Sequence, residues 1–262
     1  MNDKTDTPNR YNVPALERGL QLLTLFTPHQ RELTGAHIAR SMGLPRASVF
    51  RMLQTLEHMG FVERASDAPS YKLGIAILRL GFEFLASMEL TEHGRHVIEA
   101  LRDECGYSAH VVVRDVREVV FVAKISGRSA LFHSIHVGAR LPVHATVLGH
   151  VLLGGMSLQD LRMLFADQAM PIFSATTPNT IEALKTAVDA DTQRGYGISQ
   201  GGFEAGISTI AAPVFNERRD VCAAISITVP TQSIDPQQIP VLSEQVRRAA
   251  AQLTQRLSHT QR

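Results

Sequence analysis

One helix of the sequence has two chemically different faces, and it constrains the fold more than any other feature. The segment 43–60 reads GLPRASVFRMLQTLEHMG. At 100° per residue its core-type side chains fall within one third of the helix circumference, and they are Val49, Met52, Leu53 and Leu56. The opposite face is polar and carries no acidic residue, because Glu57 lies at its flank. We therefore expect one side to pack on a small core and the other to meet a partner.

The exposed face has the side-chain chemistry of a DNA-reading helix. Arginine suits guanine or phosphate oxygens, glutamine suits adenine, and serine or threonine suits either. The candidate contacts are Arg46, Ser48, Arg51, Gln54 and Thr55. Polar helix faces are common on soluble proteins, so the order of the neighbouring elements has to decide what this one does.

The neighbouring elements favour a winged helix-turn-helix. A short helix, GAHIARSMG, precedes the two-faced helix; Thr34 can cap it and Gly43 ends it. Two short strands follow, 61–64 and 71–73, around the turn-rich loop ASDAPS. Two helices, a tight turn and a hairpin within about 45 residues are typical of DNA-binding domains. Arg64 and Lys72 on the hairpin are further candidate contacts with the DNA backbone or minor groove.

A second domain is predicted after an apolar connector. The segment 74–88, GIAILRLGFEFLASM, is apolar almost all round, which indicates a helix packed between domains or across a dimer. The predicted domains are 1–73, a linker helix 74–88, and 89–262, an α+β domain. Its helices are expected at 89–105, 145–154, 158–166, 180–194 and 237–257, and its strands at 108–114, 118–124, 131–137, 207–215 and 221–229.

Composition excludes several classes of protein. Hydrophobic residues make up 44% and charged residues 19% of the 262 residues, as in globular proteins. No segment approaches the ~20 apolar residues of a membrane helix, and the first residues lack the apolar stretch of a signal peptide. The two cysteines, Cys105 and Cys222, form no disulfide framework or metal-binding spacing. We expect a cytoplasmic protein with no membrane partner, and the net charge of +3 over residues 1–80 adds weak support for a nucleic-acid partner.

An enzymatic or metal site is not expected. His144 and His150 in VHATVLGH are six residues apart, whereas helical metal ligands usually lie three or four apart, and no acidic residue stands near them as a general base. The glycine-rich segment 195–206, GYGISQGGFEAG, does not open a helix after a strand as a dinucleotide site does, and is expected to be a loop over a pocket. No catalytic residue, metal or cofactor is predicted.

Ordered motifs along the chain resemble the IclR family of bacterial transcriptional regulators. They are VPALERGLQLLTLF, LTGAHIARSMGLPRASVFRMLQTLEHMGFVER, YKLGIAILRLG, LPVHATVLGHVLL, RGYGIS and GISTIAAPVF. The resemblance implies a winged helix-turn-helix, a linker helix, and a ligand-binding domain with a GAF/profilin-like sheet. It also implies a homodimer or a dimer of dimers.

The resemblance also implies an effector site. Its residues would be Val147, Leu148, Ser199, Thr209, Ser226 and Thr228. Family members often carry Gly and Ala at the first two positions, Asp at the third, Cys at the fourth, and Lys at the position of His150. With Val147 and Leu148 in place of small residues, less backbone and more apolar surface faces the site, which favours an aromatic or bulky carboxylate over glyoxylate-sized acids. The carboxylate would be held by hydroxyls and by amides at the helix start. The alternative is that these are ordinary sheet residues.

The leading hypothesis is a ligand-responsive regulator of a catabolic operon that binds double-stranded operator DNA and a small organic acid and catalyses nothing. A second hypothesis is an enzyme acting on a small carboxylate, with the winged helix only tethering it. A third is an interaction module whose winged helix binds protein.

Overall fold

The computed structural model describes residues 11–27, 30–65, 69–87, 89–127, 135–166, 168–231 and 234–258. The chain divides into two compact units, Met1–Phe84 and Leu85–Arg262. The predicted linker helix, 74–88, spans this division, and the predicted domain bounds stay a prediction. Among the described helices, none combines the length and apolarity needed to cross a bilayer.

The first unit is a helix-turn-helix with a small sheet. Its elements are α1 (Pro14–Thr24), β1 (Leu33–Thr34), α2 (Gly35–Met42), α3 (Arg46–His58), β2 (Val62–Arg64) and β3 (Ser70–Leu73). The strands pair in the order β1-β3-β2, all antiparallel. The sequence did not predict β1, because two residues show no alternation; Leu33 is fixed opposite Tyr71 only by tertiary pairing.

Local signals explain the tight turn between α2 and α3. The Thr34 hydroxyl accepts a hydrogen bond from the His37 amide at 3.2 Å and so caps α2. Gly43 ends that helix at φ 62°, a left-handed conformation that glycine adopts readily. Ile38 and Leu53 from the two helices are fully buried in one core cluster. The turn therefore holds α3 against α2 with its apolar side inward.

The helix α4 (Ala76–Ser87) follows the wing directly. Gly74 is required just before it, because a Cβ there would lie 2.2 Å from the Gly60 carbonyl oxygen. Several large apolar side chains of α4 are exposed, namely Leu78, Leu80, Phe82 and Phe84. The helix thus carries apolar surface that its own chain does not cover.

The second unit is a six-stranded antiparallel sheet covered by helices on both faces. The strands are β4 (Ser108–Asp115), β5 (Glu118–Ile125), β6 (Arg140–Pro142), β7 (Gly197–Gln200), β8 (Ile207–Phe215) and β9 (Val221–Pro230). They pair in the order β6-β5-β4-β9-β8-β7. The helices are α5 (Glu89–Cys105), α6 (Val147–Leu152), α7 (Leu158–Leu164), α8 (Ile181–Arg194) and α9 (Ile239–Leu257).

Alternation along β9 separates the two cores. Ile225 and Ile227 belong to the cluster that also contains apolar side chains of α5 and α9. Ala224 belongs to the cluster of α6, α7 and α8. Because successive strand residues point to opposite faces, Ser226 and Thr228 lie on the α6 side.

Two strand predictions differ from the structure. The strand expected at 131–137 lies outside the described residues at 131–134, and 135–137 are not a strand; β6 follows instead. The segment 195–206 was predicted to be entirely a loop, which is wrong for β7. Gly197 gives this strand no side chain to signal it, and pairing with Ala211 of β8 holds it in place. A Cβ at Gly197 would lie 2.4 Å from Val147 Cγ2, so α6 can pack this closely on β7 only because residue 197 has no side chain.

Candidate nucleic-acid interface and ligand cavity

The outer face of α3 gathers the five residues predicted from its helical wheel. Arg46, Arg51, Gln54 and Thr55 are exposed, and Ser48 is half-buried. Thr55 Oγ1 donates to the Arg51 carbonyl oxygen at 3.0 Å, so its hydroxyl proton is used within the helix while the oxygen can still accept.

Two arginines on this face have free guanidinium groups. In the ranges that the structure describes, the side chains of Arg46 and Arg51 form no ion pair and no hydrogen bond. Each therefore presents a positive charge and several N–H donors to solvent. This is the chemistry that phosphate or guanine oxygens require.

The basic residues of the wing are instead paired within the protein. Arg64 Nε donates to both carboxylate oxygens of Glu57, at 3.0 and 3.3 Å, and its guanidinium carbon lies 5.7 Å from the centre of the Tyr71 ring. Lys72 Nζ lies 3.5 Å from Glu63. The sequence analysis placed Glu57 at the flank of α3 but missed its pairing with the wing, since nothing in the spacing indicates it.

Glu57 also orients one predicted reader residue. Gln54 Nε2 donates to Glu57 Oε2 at 3.0 Å. This bond leaves the amide oxygen and one N–H of Gln54 available, which are the two groups that adenine recognition uses.

A small cavity in the second unit brings together five of the six predicted effector residues. They are Val147, Leu148, Ser199, Thr209 and Thr228. Its volume is about 40 Å³. Phe203 and Glu204, from the segment 195–206 that was expected to lie over a pocket, also line it. The rest of the lining was not predicted from the sequence and comes from several distant segments: Phe121, Ile135, Leu141, Thr146 and Ile207.

A row of hydroxyl side chains crosses the sheet at this cavity. Ser108 lies opposite Thr228, Thr228 opposite Thr209, and Thr209 opposite Ser199, on strands β4, β9, β8 and β7. Residues paired in this way share one face of the sheet. Ser199 Oγ accepts from the Gly202 amide at 3.2 Å. The hydroxyls of Thr209 and Thr228 form no hydrogen bond with any residue that the structure describes.

Ser226 lies two residues before Thr228 on the same face of β9, and it does not line the cavity. Its Oγ is buried without a hydrogen-bond partner among the described residues, and so is Nδ1 of His110, which is paired with it across β4 and β9. Burial lowers the pKa of His110 to about 3, aided by the positive charge of Lys124, so the imidazole is neutral at pH 7. Its ring packs edge-on against Phe121, which lines the cavity.

The two histidines of VHATVLGH make structural contacts. His144 Nε2 lies 3.0 Å from the Pro171 carbonyl oxygen, and His150 Nε2 lies 3.1 Å from the carbonyl oxygen of His144. The expectation that no acidic residue stands near them was wrong, because α8 brings Asp191 Oδ2 to 3.5 Å from His150 Nδ1. Asp191 is also paired with Arg194 at 3.3 Å. No group of three or more potential metal ligands occurs in the part of the chain that is described.

A larger cleft of about 950 Å³ lies at the other end of α6. It contains none of the predicted effector residues, and it is open to solvent. Four of the eight charged side chains that line it are ion-paired with described residues, namely Asp191, Glu244, Arg247 and Arg248. The small cavity is the better candidate for a ligand site, because it brings together five of the predicted effector residues and because the hydroxyls of Thr209 and Thr228 have no hydrogen-bond partner among the described residues.

Two family models match the chain. Residues 15–66 match the IclR helix-turn-helix domain, and residues 82–255 match the C-terminal domain of the bacterial transcriptional regulator IclR. The HTH-type transcriptional regulator XynR of Escherichia coli (strain K12) is 29% identical over 247 residues, which cover 94% of this chain and 98% of XynR.

Solved structures agree with these matches. An IclR-type transcriptional regulator from Alicyclobacillus acidocaldarius superposes with a TM-score of 0.83 at 22% identity, covering 95% of this chain and 100% of that one, and shows the fold alone. An IclR homolog from Microbacterium hydrocarbonoxydans, complexed with 4-hydroxybenzoate, has a TM-score of 0.78 at 25% identity, covering 93% and 98%. The chain is thus a ligand-responsive, DNA-binding transcriptional regulator and not an enzyme. It belongs to the IclR family of bacterial transcriptional regulators.

Proposed function

We propose that this regulator controls a catabolic operon and senses a small organic acid, with aromatic acids bound in preference to glyoxylate-sized ones. The observation that carries the proposal is the pair of hydroxyls, Thr209 and Thr228, that have no hydrogen-bond partner in the described parts of the chain and line a cavity with mostly apolar walls. Such a site offers donors to a carboxylate and apolar surface to the rest of the ligand. The protein acts on operator DNA, and we place it in the cytoplasm.

The carboxylate end of the ligand is assigned to the hydroxyl row. A desolvated carboxylate needs hydrogen-bond donors, and Ser199, Thr209 and Thr228 lie side by side on three neighbouring strands. Ser226 lies two residues before Thr228, and its buried hydroxyl has no hydrogen-bond partner among the described residues. We assign it a second contact with a longer ligand. We give the amides at the start of α6 a minor part, because this helix has only six residues.

The apolar end of the ligand is assigned to the wall formed by Val147 and Leu148. The cavity of about 40 Å³ has room for roughly three water molecules, so an aromatic ring enters only if a wall moves. Glu204, which is exposed, and Phe203, which is half-buried against Phe173, lie in the irregular segment between β7 and β8, and we assign the movement to this segment. Ligand binding would then favour one conformation over another, which a regulator requires.

A relative supports the aromatic assignment. The Microbacterium hydrocarbonoxydans homolog, 25% identical, is complexed with 4-hydroxybenzoate. An aromatic acid is therefore a ligand that this architecture accepts in at least one family member.

For DNA, we propose that α3 enters the major groove. Arg46 and Arg51 contact phosphate or guanine, and Ser48, Gln54 and Thr55 lie beside bases. Arg64 and Lys72 contact the DNA backbone after exchanging Glu57 and Glu63 for phosphate.

For assembly, we propose a homodimer, or a dimer of dimers, formed in part through α4. Leu78, Leu80 and Phe82 expose apolar surface on this helix that pairing would bury. A two-fold dimer presents two α3 helices to two half-sites, separated by about one helical turn of DNA or a multiple of it.

Titration calorimetry of the full chain tests the ligand proposal. The acids are benzoate, 4-hydroxybenzoate, pyruvate and glyoxylate, and the variants are Thr209→Val and Thr228→Val, which remove a hydroxyl at nearly constant shape. Losing a hydrogen bond to a charged group should cost about 1.5–3 kcal/mol, or roughly 10- to 150-fold in affinity. Thr186→Val, on the exposed surface of α8, is the matched control. Tight binding of pyruvate or glyoxylate with none of either aromatic acid would refute the aromatic assignment, and unchanged affinity in both variants would refute the site.

A further inference from the structure

We infer that Phe50 reads a thymine in the operator through contact with its C5-methyl group. The inference rests on the proposed DNA-reading role of α3 and adds a residue that neither the helical wheel nor the resemblance had singled out. Among the large apolar residues of this helix, Phe50 is the one whose position fits a partner better than the core.

The exposure of Phe50 contrasts with that of its apolar neighbours. Its exposed fraction is 54%. Met52 and Leu56, by comparison, pack against the core cluster of the first unit, whereas Phe50 does not belong to that cluster. Among the described residues its ring stacks on no other aromatic ring and meets no cation. The phenyl ring is therefore available on the protein surface.

The position of Phe50 on the helix links it to the reader residues. Arg46, Phe50 and Gln54 are four residues apart in sequence, so they follow one row along the surface of α3. Arg46, which precedes Phe50 in this row, has a free guanidinium, and Gln54, which follows it, has a free amide oxygen and N–H. Phe50 is the fifth residue of α3, and base contacts come from the N-terminal part of a recognition helix.

The chemistry of the ring then selects the base. A phenyl ring can neither donate nor accept a conventional hydrogen bond, so it gains nothing from the polar edges of guanine, adenine or cytosine. Thymine alone among the four bases presents an apolar group in the major groove, its C5-methyl. Single exposed apolar residues are ordinary on protein surfaces. This one is distinguished by lying between two polar readers on a helix face rich in unpaired cationic groups.

Removing the methyl group alone gives a direct test. A random duplex library selected with the full-length protein yields an operator sequence, and each thymine in it is then replaced singly by deoxyuridine. We expect one replacement in each half-site to weaken binding by roughly three- to fivefold, the effect of one buried methyl-sized group. In Phe50→Ala the same replacement should change the affinity by less than about 1.5-fold.

The matched control is Met59→Ala. Met59 has a similar exposed fraction, 55%, but follows the C-terminal end of α3, away from the N-terminal part of the helix that contacts bases. It should keep the wild-type response to deoxyuridine. Two results would overturn the inference while leaving the DNA-reading role intact. Either no deoxyuridine replacement changes the affinity of the wild type, or the replacements change the affinity equally in the wild type and in Phe50→Ala. A selection that enriches no sequence overturns both.

Discussion

The carboxylate of Glu57 on α3 accepts hydrogen bonds from Arg64 of the wing at 3.0 and 3.3 Å. One acidic side chain thus joins α3 to the hairpin beside it and, through its bond to Gln54, also orients a residue that we propose to read DNA. Because the Arg64 side chain is 57% exposed, we expect the pair to contribute little to stability, about 0–1 kcal/mol. Its larger effect is on charge, since it neutralises a cation that would otherwise attract any DNA.

Glu57→Gln should therefore make DNA binding tighter and less selective. On random-sequence DNA we expect the wild-type protein to keep Arg64 paired with Glu57, whereas the variant leaves Arg64 free for phosphate. Affinity for random-sequence DNA should therefore rise in the variant, and on that DNA the slope of log affinity against log salt should steepen by about one. Fluorescence anisotropy over a range of salt concentrations measures both. Glu17→Gln on α1 removes the same charge without releasing a cation and is the control. A salt slope equal to that of the control would show that Arg64 does not reach DNA.

His110 should make the second unit less stable in acid. Its folded-state pKa is about 3, whereas an unfolded histidine titrates near 6.5. As pH falls from 6.5 towards 3, the unfolded chain gains a proton that the folded chain does not. The free energy of unfolding should thus fall by up to about 1.4 kcal/mol per pH unit in that window, with no contribution from this group above it.

Denaturant unfolding at several pH values measures this dependence. His110→Gln should flatten the curve between pH 6.5 and 4, while His96→Gln, at an exposed position on α5, should not. Parallel curves for wild type and His110→Gln would contradict the neutral, buried state of this imidazole.

Gly149→Ala should destabilise the second unit. A Cβ at this position would lie 2.0 Å from the Val143 carbonyl oxygen, and backbone cannot move aside as a flexible side chain can. Such overpacking costs about 1–3 kcal/mol, and it would displace α6 from the cavity that its first turn lines. Gly19→Ala, in open space on α1, should instead be neutral or stabilising by up to about 1 kcal/mol. Thermal unfolding that leaves Gly149→Ala at the wild-type midpoint would show that α6 is not held this closely.

Leu80→Glu should weaken assembly. The side chain is 59% exposed on α4, so the substitution costs little within one chain but would place a charge in the proposed dimer contact. Light scattering at micromolar concentration should report at least a dimer for the wild type and a smaller mass for the variant. Glu83→Gln on the same helix is a control that removes a charge instead of adding one. A monomeric wild type that still binds its operator would contradict the proposed assembly.

Long regular elements of this fold were predictable from the sequence, and short ones were not. The bounds of β8 agree with the predicted 207–215 because a mostly apolar run, ISTIAAPVF, lies there between Gly206 and the turn that begins at Asn216. The edge strand β7 was missed because Gly197 carries no side chain and the strand depends on pairing with β8 and contact with Val147. Propensity cannot report a contact between segments fifty residues apart.

The candidate sites divide in the same way. The outer face of α3 follows from helical periodicity, whereas the effector residues came from the family resemblance, and five of the six line one cavity. Phe203 and Glu204 lie in the segment 195–206 that was predicted to cover a pocket, but nothing in an irregular segment singles them out. Asp191 was missed because α8 brings it to His150 across the fold. Pairing of this kind is set by packing and has no local signature.

The central claim, that α3 reads DNA, is tested most directly by the affinity of Arg51→Ala for an operator selected with the wild-type protein. Anisotropy at several salt concentrations should show a loss of about 1–3 kcal/mol for Arg51→Ala and for Gln54→Ala if each makes a base contact, or a salt slope smaller by about one if Arg51 contacts phosphate. Arg95→Ala, on the exposed surface of α5, should bind like the wild type. Wild-type affinity and salt dependence in both Arg51→Ala and Gln54→Ala would contradict the claim.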